Sequence, residues 1–354
     1  MKNWCCRIII ISSLWFWPRA LSAQTAEVKL TALEKFPMQE RQQRLYELAK
    51  GEGEAVIYAN MDVSAMKPLT DGFMKRYPGT QVASVHFSGA SIITRLESEA
   101  RAGKPLSDVV LSGQLGVLAL IDKKIALRYR SPAREFFRAG LKDHDGLWTA
   151  YMTNVMVSAF NTRNVKKDEA PRNVNDLLRP RWKGRLTMDS QSYVWFGTML
   201  QYLGDEAGVR FMKQLNEQNI AHQRGRRLMT QLVAAGEFDM AVETNLNSVL
   251  TLAKQGAPLS FAPIQPYFLS PSLVFMSANA PHPYTGALFV DFLLSEEGQK
   301  IVVTTNRMPA NSKVKSPESQ LLEGQDVRTP DIFDIGKNYQ AIGRRYQEIF
   351  TGAR

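Results

Sequence analysis

The sequence predicts an α/β protein of two lobes joined by two crossings of the chain. From residue 54 onward, short apolar runs alternate with amphipathic runs, which is typical of a parallel sheet flanked by helices. The long apolar stretch 147–160 breaks this alternation, and a second alternating set follows it. With 354 residues, 44% of them hydrophobic, the chain is long enough to bury two such lobes.

In the first lobe, strands are predicted at 55–59, 80–87 and 108–111, because these runs are short and rich in valine, isoleucine and aromatic residues. Helices are predicted between them at 64–77 and 91–102. They end at Pro78-Gly79 and at Gly103, which are residues that stop helices. The stretch 147–160 is then predicted to be a strand that leaves the first lobe for the second.

The second lobe repeats this alternation, and the chain is predicted to return through 259–263 and 272–277. Two crossings make a hinge rather than two domains on a linker. The expected division is a signal peptide at 1–23, the first part of lobe 1 at 24–153, lobe 2 at 154–263, and the completion of lobe 1 with C-terminal helices at 264–354. Within lobe 2 the predicted elements are strands at 186–188 and 239–242 and helices at 193–218, interrupted at Gly204, at 226–235 and at 248–255.

The first 23 residues are predicted to be a secretory signal peptide. Lys2 and Arg7 form a basic start, and residues 8–17 form an apolar run of roughly ten residues, where a membrane-spanning helix needs about twenty. Small residues at 20–23 offer a cleavage site. We therefore expect the signal to be removed and the mature protein to be a soluble periplasmic monomer.

Cys5 and Cys6, the only cysteines, would leave with this signal. A mature chain without thiols excludes a disulfide framework, a thiolate metal site and a cysteine nucleophile. The formal net charge of +10 fits a small anionic ligand, and general surface chemistry is the alternative explanation. Lysines and arginines form no cluster of the size of a nucleic-acid motif, so no nucleic-acid partner is expected.

Catalytic motifs are not recognised in the sequence. The four histidines have no metal-ligand spacing, and no G-x-S-x-G turn or Walker loop occurs. Glu97 and Glu99 lie on a polar helix face, so they are not expected to act as an acid/base pair. We expect a protein that is not an enzyme and has neither cofactor nor metal.

Candidate ligand contacts lie at the strand-to-helix junctions, because ligands of open α/β sheets bind beyond the carboxyl ends of the strands. Serine, asparagine and glycine at these junctions can bond a ligand or admit it closely, although ordinary helix capping explains each one singly. Together they predict a cleft between two lobes. The junctions read Asn60-Met61-Asp62, Ser88-Gly89-Ala90-Ser91, Ser112-Gly113-Gln114, Asp189-Ser190-Gln191-Ser192 and Asn245-Leu246-Asn247-Ser248.

Two arginines open the predicted helix at 226–235 and could bind a carboxylate or phosphate, with a solvated basic surface as the alternative. Tyr267 is the aromatic residue expected at the ligand, although it could equally belong to the core. The predicted ligand-binding residues are Asn60, Ser88, Gly89, Ala90, Ser91, Ser112, Gly113, Ser190, Ser192, Arg226, Arg227, Asn245, Asn247 and Tyr267.

Five segments, at 55–59, 107–111, 180–185, 232–239 and 289–299, follow one another in an order that resembles a known family. From about residue 54 to about residue 312, the chain resembles the ferric-iron and thiamine-like branch of the extracellular solute-binding proteins that serve ABC importers. The resemblance implies a type 2 periplasmic-binding-protein fold with two hinge crossings. It also implies delivery of a small ligand to an ABC importer permease in the inner membrane.

Iron binders of that branch hold the metal with an adjacent tyrosine pair, often helped by a glutamate and a histidine of the first lobe. Here Leu246 and Asn247 occupy the tyrosine positions, Gly113 the glutamate position, and Met61-Asp62 the histidine position. Ferric iron prefers anionic oxygen ligands, which Leu246 does not supply. We therefore expect a phosphonate, phosphate ester or carboxylate as ligand. A binder of ferric or chelated iron, a ligand-presenting sensor and a secreted enzyme on the same fold are the alternatives.

Overall fold

The computed structural model describes residues 25–87, 89–114, 120–121 and 123–352. The predicted signal peptide lies outside these residues. Two helices precede the first strand, and three parallel strands then alternate with helices. The elements are α1 (Ala26–Thr31), α2 (Met38–Ala49), β1 (Glu54–Ala59), α3 (Val63–Arg76), β2 (Gln81–His86), α4 (Gly89–Ala102), β3 (Val109–Gly113) and β4 (Ala126–Leu127).

A long strand then leads into a second parallel set, as the sequence predicts. The predicted helix at 193–218 divides at Gly204, whose φ of 82° is one that side-chain-bearing residues rarely adopt. The elements are β5 (Thr149–Asn161), β6 (Leu186–Asp189), α5 (Tyr193–Leu203), α6 (Asp205–Asn216), β7 (Ala221–Gln223), α7 (Arg226–Ala235), β8 (Met240–Asn245), α8 (Leu246–Lys254) and β9 (Leu259–Phe261).

The chain returns through a second long strand and ends in helices. The closing elements are β10 (Tyr267–Ser277), α9 (Pro283–Leu294), α10 (Glu296–Thr304), β11 (Met308–Pro309), α11 (Pro317–Leu321), β12 (Val327–Arg328), α12 (Ile332–Lys337) and α13 (Tyr339–Phe350). The main path of the sheet runs β2-β1-β3-β10-β5-β8-β6-β7. The crossing strands β5 and β10 thus lie side by side between the parallel strands of the first lobe and those of the second.

Each lobe has its own aromatic packing. In the first lobe, the ring of Phe73 meets those of Phe289 and Phe292 with centroids 5.4 and 5.8 Å apart. In the second lobe, Phe196 of α5 meets Tyr346 of α13 at 5.8 Å, edge to face. The last helices therefore pack on the second lobe, while β10 and α9 complete the first.

Gln299 of α10 joins three separate parts of the chain. It is fully buried, and its Nε2 donates to the carbonyls of Tyr151 and Leu293 at 2.7 and 2.9 Å. Its Oε1 accepts from the backbone amides of Ala310 and Asn311. One side chain thus ties a crossing strand to the segment that follows β11.

Candidate ligand-binding cleft

The register of the crossing strands sets the distance between the lobes. Gly113, at the end of β3, lies opposite Ser272 of β10, which lies opposite Met152 of β5. Asn245, at the end of β8, lies opposite Met156 of β5. Four residues of strand, or roughly 13 Å, therefore separate the two edges. This spacing leaves room for a small ligand between the lobes.

Helix N-termini line both edges. In the first lobe β1, β2 and β3 are parallel, and α3 and α4 start at the edge where β1 and β2 end. In the second lobe β6, β7 and β8 are parallel, and they are followed directly by α5, α7 and α8. Within the described residues, five sets of helix N-terminal amides thus lie at the two facing edges, and such amides attract anions.

At the first-lobe edge, three predicted contacts come together. The backbone N–H of Asn60 donates to the carbonyl of Leu111 at 3.0 Å. The side-chain Nδ2 of Asn60 lies 3.8 Å from the position that a Cβ of Gly113 would take. Ser112 is buried, and its Oγ has no hydrogen-bond partner among the described residues. The Oε1 of the neighbouring Gln114 is likewise buried without one. Buried polar atoms of this kind are uncommon and are often completed by a ligand or water.

The predicted Ser88–Ser91 junction is described only in part. Gly89 and Ala90 are the first two residues of α4, and Ser91 follows as an exposed residue in its first turn. Ser88 lies outside the described residues. The helix starts two residues before the predicted helix 91–102, within the predicted junction, and the amides of its first turn belong to the five sets above.

The second-lobe edge contains a hydrogen-bonded group that the sequence does not reveal. Ser192 is fully buried, and its Oγ donates to Glu243 Oε1. Arg226 Nε donates to Glu243 Oε2 at 2.7 Å, and the Glu243 side chain is only 1% exposed. The charge of Glu243 raises the pKa of Arg226 further above its ordinary value. The structure therefore places Arg226 in an ion pair within its own lobe.

Arg227 and Ser190 have fewer partners at the same edge. Arg227 is exposed, and its guanidinium forms no ion pair or hydrogen bond with any residue that the structure describes. Ser190 is half-buried, and its amide donates to the Gln223 carbonyl at 2.8 Å. Arg227 is thus the available cation of the predicted arginine pair.

At the β8–α8 junction, the predicted residues differ in accessibility. Leu246 is buried, whereas Asn245 and Asn247 are half-buried. Asn245 is the N-cap of α8, but its side chain makes no capping hydrogen bond. The Asn245 amide group is therefore not used in capping the helix that it precedes.

Tyr267 lies in the core of the protein. It is 4% exposed and packs edge to face on Phe261 with ring centroids 6.4 Å apart. Burial raises the pKa of its hydroxyl. Tyr267 is therefore a buried core residue, and its contact with the ligand stays a prediction.

Arg307 is a cleft residue that sequence reasoning missed. It directly precedes β11, which pairs with β5 at Met152 and Thr153. Its Nη2 lies 3.4 Å from Oδ2 of Asp62, the N-cap of α3. The pKa of the fully buried Tyr151 hydroxyl is raised by burial, and the positive charge of Arg307 opposes that rise. Arg307 thus reaches the first-lobe edge, as Arg227 reaches the second-lobe edge.

Asn154 and Ser270 form the polar pair between the two edges. They lie opposite one another on β5 and β10, so their side chains share one face of the sheet, and both are half-buried. They lie within an apolar stretch, and only the strand register shows that they fall between the lobes.

Metal clusters and membrane-spanning helices are both absent from the described part of the chain. Within them, no set of three or more His, Cys, Asp or Glu side chains is arranged to hold a metal ion. No helix in this part of the chain is both long and apolar enough to cross a bilayer.

Comparison with known proteins agrees with this architecture. A profile of the bacterial extracellular solute-binding protein family matches residues 113–338. The chain is 22% identical over 264 residues to an Fe(3+)-binding periplasmic protein of Serratia marcescens, which covers 71% of this chain and 76% of that protein. It is also 22% identical over 297 residues to a Salmonella paratyphi A protein provisionally named a 2-aminoethylphosphonate-binding periplasmic protein. That match covers 79% of this chain and 86% of the Salmonella protein.

Solved structures show the same fold. Ferric iron-binding protein A of Mannheimia haemolytica, in an open conformation, superposes with a TM-score of 0.74 at 20% identity, covering 85% of this chain and all of that one. The periplasmic binding protein AfuA of Actinobacillus pleuropneumoniae, with exogenous fructose-6-phosphate bound, superposes with a TM-score of 0.70 at 21% identity. The superposition covers 86% of this chain and all of the AfuA chain.

The named relatives are binding proteins for small ligands, and the profile covers more than half of the chain. The two-lobed α/β architecture matches that of the ferric-iron and sugar-phosphate binding proteins. The chain belongs to the bacterial extracellular solute-binding protein family and is a periplasmic-type solute-binding protein of ABC importers.

Proposed function

We propose that this protein binds a small organic anion, a phosphonate, phosphate ester or carboxylate, between its lobes and delivers it to an ABC importer permease. The five sets of helix N-terminal amides at the two facing edges carry the proposal. Oriented amides attract an anion without adding a fixed counter-charge to the cleft. The protein acts in this proposal as a periplasmic monomer released from its signal peptide, and it is not an enzyme.

The individual contacts follow from the charges at the two edges. Of the two arginines that open α7, Arg227 is exposed, whereas Arg226 is already paired with Glu243. Arg307 offers a cation from the first lobe; its Nη1 donates to the Thr305 carbonyl at 2.9 Å, and its Nη2 lies 3.4 Å from Asp62 Oδ2. An anion that contacts both lobes would favour the closed state over the open one. The names of the phosphonate and fructose-6-phosphate relatives support this ligand class.

The test is calorimetric titration with a panel of phosphonates, sugar phosphates and carboxylates. A charge-assisted hydrogen bond contributes roughly 1.5–3 kcal/mol, so Arg227→Gln should weaken binding about tenfold to a hundredfold. Arg344→Gln is the matched control, because Arg344 is an exposed arginine of the second lobe on α13 and has no ion pair among the described residues. Tight binding of a neutral or cationic solute, unchanged in Arg227→Gln, would contradict the proposal.

Ferric iron is the second candidate, supported by the name of the Serratia marcescens relative. The family resemblance implies that Leu246 and Asn247 stand where iron binders carry tyrosines. Titration with ferric citrate separates the two candidates, because iron held by tyrosinate is coloured. We expect no visible charge-transfer band; a band that a chelator bleaches would favour iron.

A further inference from the structure

A cavity outside the candidate cleft lies on the two crossing strands. Its volume is about 330 Å³, within the range of small-molecule sites. Thr153 of β5 and Leu269 of β10 contribute to its lining, and the segment that runs from β11 to β12 closes it. Of the cleft residues named above, none that the structure describes lines this cavity.

The segment that closes the cavity spans the hinge. At one end, β11 pairs with Met152 and Thr153 of β5, level with the edge of the first lobe. At the other end, β12 pairs with Tyr267 and Phe268 of β10, and Phe268 lies opposite Met156, level with the edge of the second lobe. A change in the angle between the lobes would therefore move the two ends of this segment relative to each other.

The lining combines apolar walls with one available positive charge. Leu141, Val314 and Leu322 are buried apolar residues of the lining. Lys315 also lines the cavity, but its Nζ lies 2.5 Å from Glu323, so that pair is neutral overall. The guanidinium of Arg138 has no ion pair or hydrogen bond with the residues that the structure describes.

A buried threonine with an unpaired hydroxyl borders the same cavity. Thr153 is 1% exposed, and its Oγ1 has no hydrogen-bond partner among the described residues. Leaving such a group unpaired is unfavourable, and a bound ligand with an acceptor would satisfy it. The cavity thus offers a cation, a hydroxyl donor and an apolar wall.

We propose that this cavity is a second ligand site, which takes a short aliphatic carboxylate and biases the hinge. Arg138 supplies the charge for the carboxylate, Thr153 supplies a hydrogen bond, and the leucine and valine side chains contact the alkyl chain. The ligand touches both crossing strands and the segment that spans them, so it binds better at one hinge angle than at others. Its occupancy and the separation of the lobes are then coupled. This site does not depend on which anion occupies the cleft.

Binding is tested by titrating hexanoate into protein with ¹³C-labelled leucine and valine methyl groups. The Leu269 and Leu322 methyl signals should shift saturably with hexanoate and not with hexylammonium at the same concentrations. Arg138→Gln should weaken the apparent affinity at least tenfold, and Leu322→Trp, which fills the cavity, should abolish the shift of Leu269. Leu321→Trp is the matched control, because Leu321 is 49% exposed and does not line the cavity. Equal shifts with hexylammonium, or an unchanged titration in Leu322→Trp, would overturn the site.

The hinge is tested by measuring the distance between spin labels in the two lobes. Lys75 on α3 and Lys213 on α6 are exposed and have no ion pair among the described residues, so cysteines at both positions can carry labels in a Cys5→Ser, Cys6→Ser chain. Saturating hexanoate should change the distance distribution, and Leu322→Trp should remove that change. Saturable binding with an unaltered distribution would overturn the hinge part of the proposal.

Discussion

Each lobe contains a buried carboxylate near an arginine, and the two arrangements differ. In the second lobe, Glu243 accepts from both Ser192 and Arg226. In the first lobe, Asp291 of α9 is buried near Arg41 of α2, and neither of its oxygens accepts a well-formed hydrogen bond from a described residue, although the nearby Ser131 and Tyr129 hydroxyls lower its pKa.

Arg41 donates to the hydroxyl of Tyr129 at 3.0 Å instead of to Asp291. Burial raises the pKa of Asp291 to about 6, although the charge of Arg41 opposes the rise. In the other lobe, the charge of Glu243 raises the pKa of Arg226. The difference teaches that an arginine near a buried carboxylate compensates for lost hydration only where hydrogen bonds join the two groups.

The largest expected effect is that of breaking the bonded pair with Glu243→Gln. The change leaves Arg226, 29% exposed, beside a neutral amide, and loss of one partner of a buried pair costs about 3 kcal/mol. Urea denaturation measures the free energy of unfolding. Glu237→Gln, an exposed glutamate with no ion pair among the described residues, should change it by less than about 0.5 kcal/mol. Equal effects of the two substitutions would remove the distinction between paired and unpaired carboxylates.

The second-largest effect is that Asp291 should make the free energy of unfolding depend on pH. Its folded pKa is above its unfolded value, so the folded state binds the proton more tightly, and stability from this group rises as pH falls. Between pH 7.5 and pH 5 the gain should be about 1 kcal/mol. The quantity to measure is the difference in unfolding free energy between the wild type and Asp291→Asn at both pH values. A difference that does not change with pH would contradict a raised pKa for this buried carboxylate.

The smallest effect should come from Asp62→Asn at the cleft. Its contact with Arg307 is long, at 3.4 Å, and the Asp62 side chain is 58% exposed, so the pair contributes less than about 1 kcal/mol. Thermal unfolding at low and high salt should give nearly the same midpoint for variant and wild type. A loss as large as that of Glu243→Gln would show that Asp62 and Arg307 form a structural pair.

Much of the fold was predictable because its signals are local. The run 55–59 is apolar enough to be a covered strand, and Gly204 divides two helices because of its backbone conformation. The helices α1 and α2 before the first strand were not predicted. The buried residues of α2 contact α9, which follows more than 200 positions later, so no neighbouring run in the sequence marks them as part of the fold.

Only the part of the candidate site that lies at strand-to-helix junctions was predictable from the sequence. The strand-to-helix turns are visible in the sequence, and the structure places the described ones at two facing edges. The pairing of Arg226 with Glu243 was not predictable, because it needs the register of α7 against β8. Arg307 was missed for the same kind of reason, since it reaches the first-lobe edge only through the pairing of β11 with β5.

The position of β10 in the sheet affects the order in which the chain can fold. β10 lies between β3 and β5, so the first-lobe sheet lacks its central strand until Tyr267–Ser277 is available. β5, β6, β7 and β8 are all complete by Asn245. An N-terminal fragment that ends before β10 therefore holds every strand of the second lobe's main path but not a continuous first-lobe sheet. The sheet of the first lobe is thus completed after that of the second, and until then β3 and β5 present unpaired edges to other chains.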